Sequence, residues 1–217
     1  MKKILTSVLA SLFVLSNLTI ADTTNIGAKI SNGKLKATGT ETTNDSGTIS
    51  NSGDARFTYG SLFVERELSF SLANVTLGLD YVPMNAEVDK ITGGTGTDAT
   101  IKMSNHKTLY IQPSKSLDNG VSIFAKVGYS HADLKVTDIT RQTSYNSSGA
   151  TDTSASKSLK GPVYGIGVQK SFSNGVFLRA DYTKTNYSEI SYTNSNSKVL
   201  KADPDLSAIN ISLGKKF

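Results

Sequence analysis

Two segments of this chain, Lys115-Ser116-Leu117-Asp118-Asn119-Gly120-Val121 and Lys170-Ser171-Phe172-Ser173-Asn174-Gly175-Val176, echo one another almost residue for residue. Each places an Asn-Gly pair between two stretches in which apolar and polar residues alternate. Asn and Gly adopt the positive φ of a tight hairpin turn, and alternation gives a strand one apolar and one polar face. A chain built on this unit folds as antiparallel sheet. Ser71-Leu72-Ala73-Asn74-Val75 is a third, weaker copy of the turn without the glycine.

The alternation is clearest in Val121, Ile123, Ala125, Val127 and Tyr129, which oppose Ser122, Lys126, Gly128 and Ser130, with Phe124 breaking the pattern. Val75, Leu77, Leu79 and Tyr81 oppose Thr76, Gly78 and Asp80. Leu109 and Ile111 oppose Thr108, Tyr110 and Gln112. Tyr164, Ile166 and Val168 oppose Gly165, Gly167 and Gln169, and Val176, Leu178, Ala180 and Tyr182 oppose Arg179, Asp181 and Thr183. The last segment is Ile209, Ile211 and Leu213 against Asn210, Ser212 and Gly214. A strand over Ile26 to Thr38 begins in phase and loses it near Asn32-Gly33, where a bulge would absorb the slip. Phe57 to Glu67 supplies the eighth strand, with Leu62 and Val64 on one face and Phe57, Tyr59, Ser61, Phe63 and Glu65 on the other.

Between the tight turns lie polar stretches rich in Thr, Ser, Asn and Gly, read as four long loops: Thr40 to Asp54, Met84 to Asn105, Asp138 to Lys160 and Asn186 to Asp203. Four long loops and three tight turns connect eight strands and leave both termini at the tight-turn end.

The amino terminus sets the compartment. Lys2 and Lys3 precede an apolar run from Ile4 to Leu15, and the small-residue tripeptide Thr19-Ile20-Ala21 follows. This is the pattern of a secretory signal peptide over 1–21, leaving a single domain over 22–217. The net charge of +5 is spread without a Lys/Arg cluster, which argues against nucleic acid as a partner. There is no cysteine, so disulfides and thiolate sites are excluded.

A soluble barrel also has alternating strands, but three features favour a membrane. The chain ends on Phe217 after Ile209, Ile211 and Leu213 at two-residue steps, with Lys215 interrupting the series. The connections are long at one end and tight at the other, and the signal peptide carries no lipidation cysteine. On these residues the chain resembles the small bacterial outer-membrane β-barrel superfamily, being similar to OmpX and the transmembrane domain of OmpA. The resemblance implies an all-β, eight-stranded antiparallel transmembrane barrel with long extracellular loops and short periplasmic turns. It implies integral outer-membrane localisation after export through the periplasm. It also implies contact with outer-membrane lipid and lipopolysaccharide, and assembly as a monomer by the barrel-assembly machinery reading the strand of Ile209, Ile211, Leu213 and Phe217.

In that arrangement the apolar face meets lipid and the lumen receives Lys29, Glu65, Asp80, Lys126, Arg179 and Asp181. Three cations and three anions balance, and eight strands enclose an interior that side chains nearly fill. The expectation is a plugging salt-bridge network, with a narrow pore filtered by these charges as the rival.

Chemistry has few carriers. His106 and His131 are the only histidines, and both are expected at the rim or in loops. His131 is followed by Ala132 and Asp133, and Ser130 faces the opposite side of its strand. Gly93-Gly94-Thr95-Gly96 lacks the lysine and helix of a phosphate loop. Asp203-Pro204-Asp205 offers too few oxygens for calcium and reads as a turn into the last strand. No catalytic residue, metal or cofactor is expected. The functional expectation is a non-enzymatic barrel that supports the envelope or presents loops for adhesion or binding to a ligand the sequence does not identify. A small passive channel is the alternative, and a lipid A-modifying enzyme comes third.

Overall fold

The computed structural model describes residues 22–43, 47–92, 97–141, 154–193 and 199–217. The expected signal peptide and the Gly93–Gly96 segment lie outside them. Ten strands follow in order: β1 (Asp22–Thr43), β2 (Gly47–Ser69), β3 (Asn74–Tyr81), β4 (Ala86–Thr92), β5 (Thr97–Ser116), β6 (Val121–Arg141), β7 (Ser154–Ser171), β8 (Val176–Asn186), β9 (Ile190–Thr193) and β10 (Val199–Lys216). The hydrogen-bonded circuit runs β1-β2-β3-β5-β6-β7-β8-β10 and returns to β1, every pair antiparallel. It is a closed eight-stranded barrel. β4 and β9 are short extensions that pair with β5 and β10.

The periplasmic turns form as their residues dictate. Asn119 and Gly120 stand at φ 60° and 70°, and Gly175 at 81°, the left-handed region that these residues enter most readily. The turns are closed by Leu117 N–H to Val121 O at 2.7 Å and Phe172 N–H to Val176 O at 2.9 Å. At the same end Phe217 N–H donates to Thr24 O at 2.8 Å and Thr24 N–H to Phe217 O at 3.1 Å, so the last residue completes the ring.

Outside, Ile26, Ile30, Leu62, Leu109, Ile111, Ile123, Val127, Ile166, Val168, Leu178, Ile209, Ile211 and Leu213 form an exposed apolar belt. Tyr129, Tyr164 and Tyr182, also exposed, lie toward its extracellular edge, where amphipathic rings suit a membrane interface.

Two expectations need correction. No bulge interrupts β1: its register against β2 and β10 is continuous through Asn32 and Gly33. The side chains keep alternating in and out, and it is hydrophobicity that changes face. Ile26 and Ile30 point out toward lipid, but beyond Ser31 the buried inward residue is Leu35 and the outward ones are Lys34 and Lys36. The barrel has risen out of the membrane, so water replaces lipid outside and an apolar core replaces the polar lumen inside. The polar stretches read as long loops are the second correction, because much of each is strand. β1 and β2 stay paired as far as Thr43 opposite Gly47, and β5 and β6 as far as Thr97 opposite Arg141. Thr has high strand propensity, and an extended ladder satisfies the backbone groups that a loop would leave to water. Among the described residues the projecting wall has two gaps in the ladder: β4 does not pair with β2, and β9 does not pair with β7.

Candidate functional site in the barrel lumen

Inward side chains sort into three layers. Nearest the periplasm is a polar cavity of about 190 Å³, lined by residues including Glu67, Thr76, Gln112, Gln169 and Lys216. Lys216 Nζ lies 2.7 Å from Glu67 Oε2, and Asn25 and Asn74 donate to the same carboxylate at 3.3 Å.

The middle layer holds all six of the lumen charges singled out from the sequence, in three pairs. Arg179 forms two parallel bonds to Glu65, Nη1 to Oε1 at 2.6 Å and Nη2 to Oε2 at 3.0 Å, and both side chains are almost fully buried. Further bonds hold the pair: Arg179 Nε and Nη2 donate to Gln169 Oε1 at 3.0 and 2.8 Å, and Glu65 accepts from Tyr110 Oη at 2.6 Å and Asn25 Nδ2 at 3.2 Å. The guanidinium carbon lies 5.1 to 5.4 Å from the ring centroids of Phe63, Phe124 and Phe177. A planar, weakly hydrated cation suits such an aromatic cage, and its bidentate bonds satisfy the carboxylate.

Lys29 Nζ sits 2.8 Å from Asp80, which also accepts from Ser61 at 3.1 Å. Lys126 Nζ lies 3.6 Å from Asp181 and 4.6 Å from the centroid of Tyr110, and Asn210 donates to Asp181 at 2.8 Å. Gln169, Tyr110, Asn25 and Asn210 complete the network but carry no charge, so charge balance alone does not pick them out.

Space for the rings comes from glycine. Tyr110 stands opposite Gly78 on one side and Gly128 on the other, Phe124 opposite Gly167, Phe177 opposite Gly214, and Phe63 opposite Gly27. In each case a Cβ on the glycine would meet the facing aromatic residue. The lumen is therefore filled by large side chains laid over small ones across the strands.

The third layer is apolar and lies beyond the membrane belt: Leu35, Phe57, Tyr59, Val82, Met103, Leu134, Leu159, Tyr187 and Leu206 belong to one buried cluster. His106 points into it, contrary to its expected place at the rim. His106 keeps the inward parity of Thr108 and Tyr110, and the β5 ladder shifts register just beyond it, between Ser104 and Lys107, with Asn105 at φ 50°. Its Nε2 is 3.4 Å from Tyr187 Oη, its ring packs edge-on near Tyr59, and its Nδ1 has no hydrogen-bond partner.

His106 lies past Lys107, in the part of β5 that projects beyond the belt, and burial lowers its pKa to about 4. The unfolded chain therefore binds a proton near pH 6.5 that the folded barrel does not take up until about pH 4. Stability is complete above pH 6.5 and falls through that window, by roughly 3 kcal/mol for a shift of this size. Urea unfolding in vesicles at pH 7 and pH 4 is expected to show this loss, with His106→Phe losing less by that amount. Equal pH slopes in the two proteins would contradict it.

His131 remains on the outer wall. Its Nε2 lies 3.5 Å from Asp133 and its Nδ1 3.4 Å from Ser158 Oγ. Asp203-Pro204-Asp205 is not a turn but part of β10, where Asp205 lies 3.6 Å from Lys184.

The family model for the outer membrane protein beta-barrel domain matches residues 5–217. The chain belongs to this family. It is thus an integral outer-membrane β-barrel, a class of protein in contact with lipid and lipopolysaccharide. Among solved structures it is similar to the outer membrane protein OprG from Pseudomonas aeruginosa, with 15% identity over 88% of this chain and 96% of that one and a TM-score of 0.51. It is also similar to the outer membrane protein AlkL, with 12% identity over 91% of each chain and a TM-score of 0.50. At such identities the likeness concerns the fold. No curated protein matches the sequence.

Proposed function

We propose that this protein is a non-enzymatic structural element of the outer membrane whose lumen is plugged and whose projecting strands and loops form a binding surface outside the cell. The observation that supports this reading is the filled cross-section: Arg179 and Glu65 meet at the barrel's centre inside a ring of Phe63, Phe124 and Phe177. An apolar cluster lies above that layer. A filter for passing ions keeps its charges in water, whereas these are paired with each other and packed against rings. The polar cavity at the periplasmic end is the feature a channel would use, but it stops short at Gln169 and Gln112, beneath the charged layer. Ile209, Ile211 and Leu213 point outward on β10 and Phe217 closes the ring, an arrangement suited to recognition of the last strand by the assembly machinery before a monomeric barrel shuts.

Cells lacking the protein are expected to admit detergents and hydrophobic antibiotics more readily, with wild-type protein restoring the barrier. Faster uptake of small hydrophilic solutes on expression would favour a channel, and a changed lipid A mass would favour an enzyme.

A further inference from the structure

The outer wall changes chemistry abruptly on one side of the barrel. On β5, β6 and β8 the last exposed apolar residues are Leu109, Tyr129 and Tyr182, and the next outward positions are Lys107, His131 and Lys184. On β7 the step from Tyr164 passes Pro162 to Lys160. Four consecutive strands thus carry a basic side chain where the lipid-facing surface ends. On the opposite side the equivalent positions beyond Ile209, Ile30 and Leu62 are Ser207, Asn32 and Gly60, all neutral.

Lys107 and Lys160 are the two cross-strand partners of His131, so the three stand in one row over three strands. Adjacent strands are about 4.8 Å apart, which sets the two lysine backbones about 10 Å from each other. Both lysines are exposed, and neither ammonium has a hydrogen bond or ion pair among the described residues. Lys184, by contrast, has Asp205. Asp133, on the same strand as His131, sits one row farther from the membrane, and Glu189, next to the Ser188 whose N–H bonds Lys160 O, is paired with Lys201 at 3.0 Å. Asp133 is engaged by His131 at 3.5 Å and by Asn105 Nδ2 at 2.8 Å, the latter presented by the β5 irregularity. Ser158 holds the other ring nitrogen of His131 at 3.4 Å. The row therefore offers two free ammonium groups around a fixed imidazole, directly above tyrosines that face lipid.

We propose that this sector of β5 to β7 is a docking site for the phosphate groups of an outer-leaflet glycolipid, the lipid A portion of lipopolysaccharide. Ammonium groups bind phosphate as point charges, and the drop from the tyrosine level to the apolar belt places acyl chains beside the barrel while the phosphates meet the lysines. The lipid is favoured over free phosphate because the cations adjoin the belt. The site also gives the barrel a preferred side within the leaflet, since on β10, β1 and β2 the first positions past the belt are neutral and Lys34 beyond them is held by Asp54 at 3.1 Å.

The test uses the full-length barrel in neutral phospholipid vesicles, titrated with bisphosphorylated lipid A, dephosphorylated lipid A and inorganic phosphate. Wild-type protein is expected to bind the bisphosphorylated form, and Lys107→Gln/Lys160→Gln to bind it at least tenfold more weakly. Lys107→Arg/Lys160→Arg should retain binding, and Lys34→Gln/Lys36→Gln, on β1 across the barrel, should match wild type. Both glutamine variants should keep heat-modifiable mobility on gels, the sign of a folded barrel. The proposal is overturned if dephosphorylated lipid A binds as well, if inorganic phosphate competes at equal concentration, or if either lysine pair weakens binding equally. Loss of an acyl chain from lipid incubated with wild-type protein but not with Ser158→Ala would also overturn it, by making the Ser158, His131 and Asp133 contacts catalytic.

Discussion

Replacing Arg179 by methionine is expected to destabilise the barrel by about 3 to 5 kcal/mol in urea unfolding from lipid vesicles, the cost of stranding a buried charge whose partner remains. Glu65 would lose both guanidinium bonds at 2.6 and 3.0 Å and keep only Tyr110 and Asn25, and Gln169 Oε1 would lose both its donors. Methionine fills the space between Phe63, Phe124 and Phe177, so the effect reports charge rather than a cavity. Glu65→Gln with Arg179→Met should cost less than the two single changes together, because the second removes the charge the first left behind. Lys126→Met is expected to cost less than Arg179→Met, because Asp181 sits 3.6 Å from the ammonium and keeps Asn210 at 2.8 Å. Additive effects for Glu65 and Arg179 would show that the pair is not coupled.

Gly78→Val should be comparably damaging by a different route. Its side chain would occupy the volume of the Tyr110 ring, which is confined on its other flank by Gly128. If Tyr110 moves, its bond to Glu65 breaks as well, so overpacking of about 1 to 3 kcal/mol adds to the loss of a charge-assisted hydrogen bond. Gly78→Val/Tyr110→Ala should recover part of the loss by vacating that volume, measured by the same unfolding transition. A double variant no more stable than Gly78→Val would show that the contact with Tyr110 is not the cause.

The residues that line the lumen were legible in the sequence because side-chain direction in a strand has period two. Lys29, Glu65, Asp80, Lys126, Arg179 and Asp181 can all be placed inside without knowing which strands are neighbours. Their pairing was not legible. Arg179 and Glu65 are 114 positions apart and meet across the lumen, which depends on how the whole circuit is staggered. Gly167 falls on the polar face of its strand, yet the ring that it accommodates, Phe124, had appeared only as a break in the alternation of β6. It is an inward residue in a strand whose polar face is partly aromatic.

The extracellular half misled for a physical reason. A hydrophobic pattern reports contrast with the surroundings, and the surroundings change from lipid to water partway along each strand. Leu35 on β1 and Phe57 and Tyr59 on β2 face inward there, so apolar periodicity read along a whole strand appears to slip while the backbone keeps its register. His106 was placed at the rim although it shares the inward parity of Thr108 and Tyr110, because the polar stretch before it was read as loop rather than as the continuation of β5. The basic row of Lys107, His131 and Lys160 emerges only once β5, β6 and β7 are set side by side.

The central claim is that paired charges and packed rings close the lumen, and single-channel recording tests it most directly. Purified, folded barrel inserted into planar bilayers should give no discrete conductance steps above the lipid background. Glu65→Ala/Arg179→Ala, which removes both members of the central pair, should introduce them. Stable steps from the wild-type protein, with ion preference altered by Lys126→Met or Arg179→Met while urea unfolding stays unchanged, would contradict the plug and make the same six residues the filter of a pore.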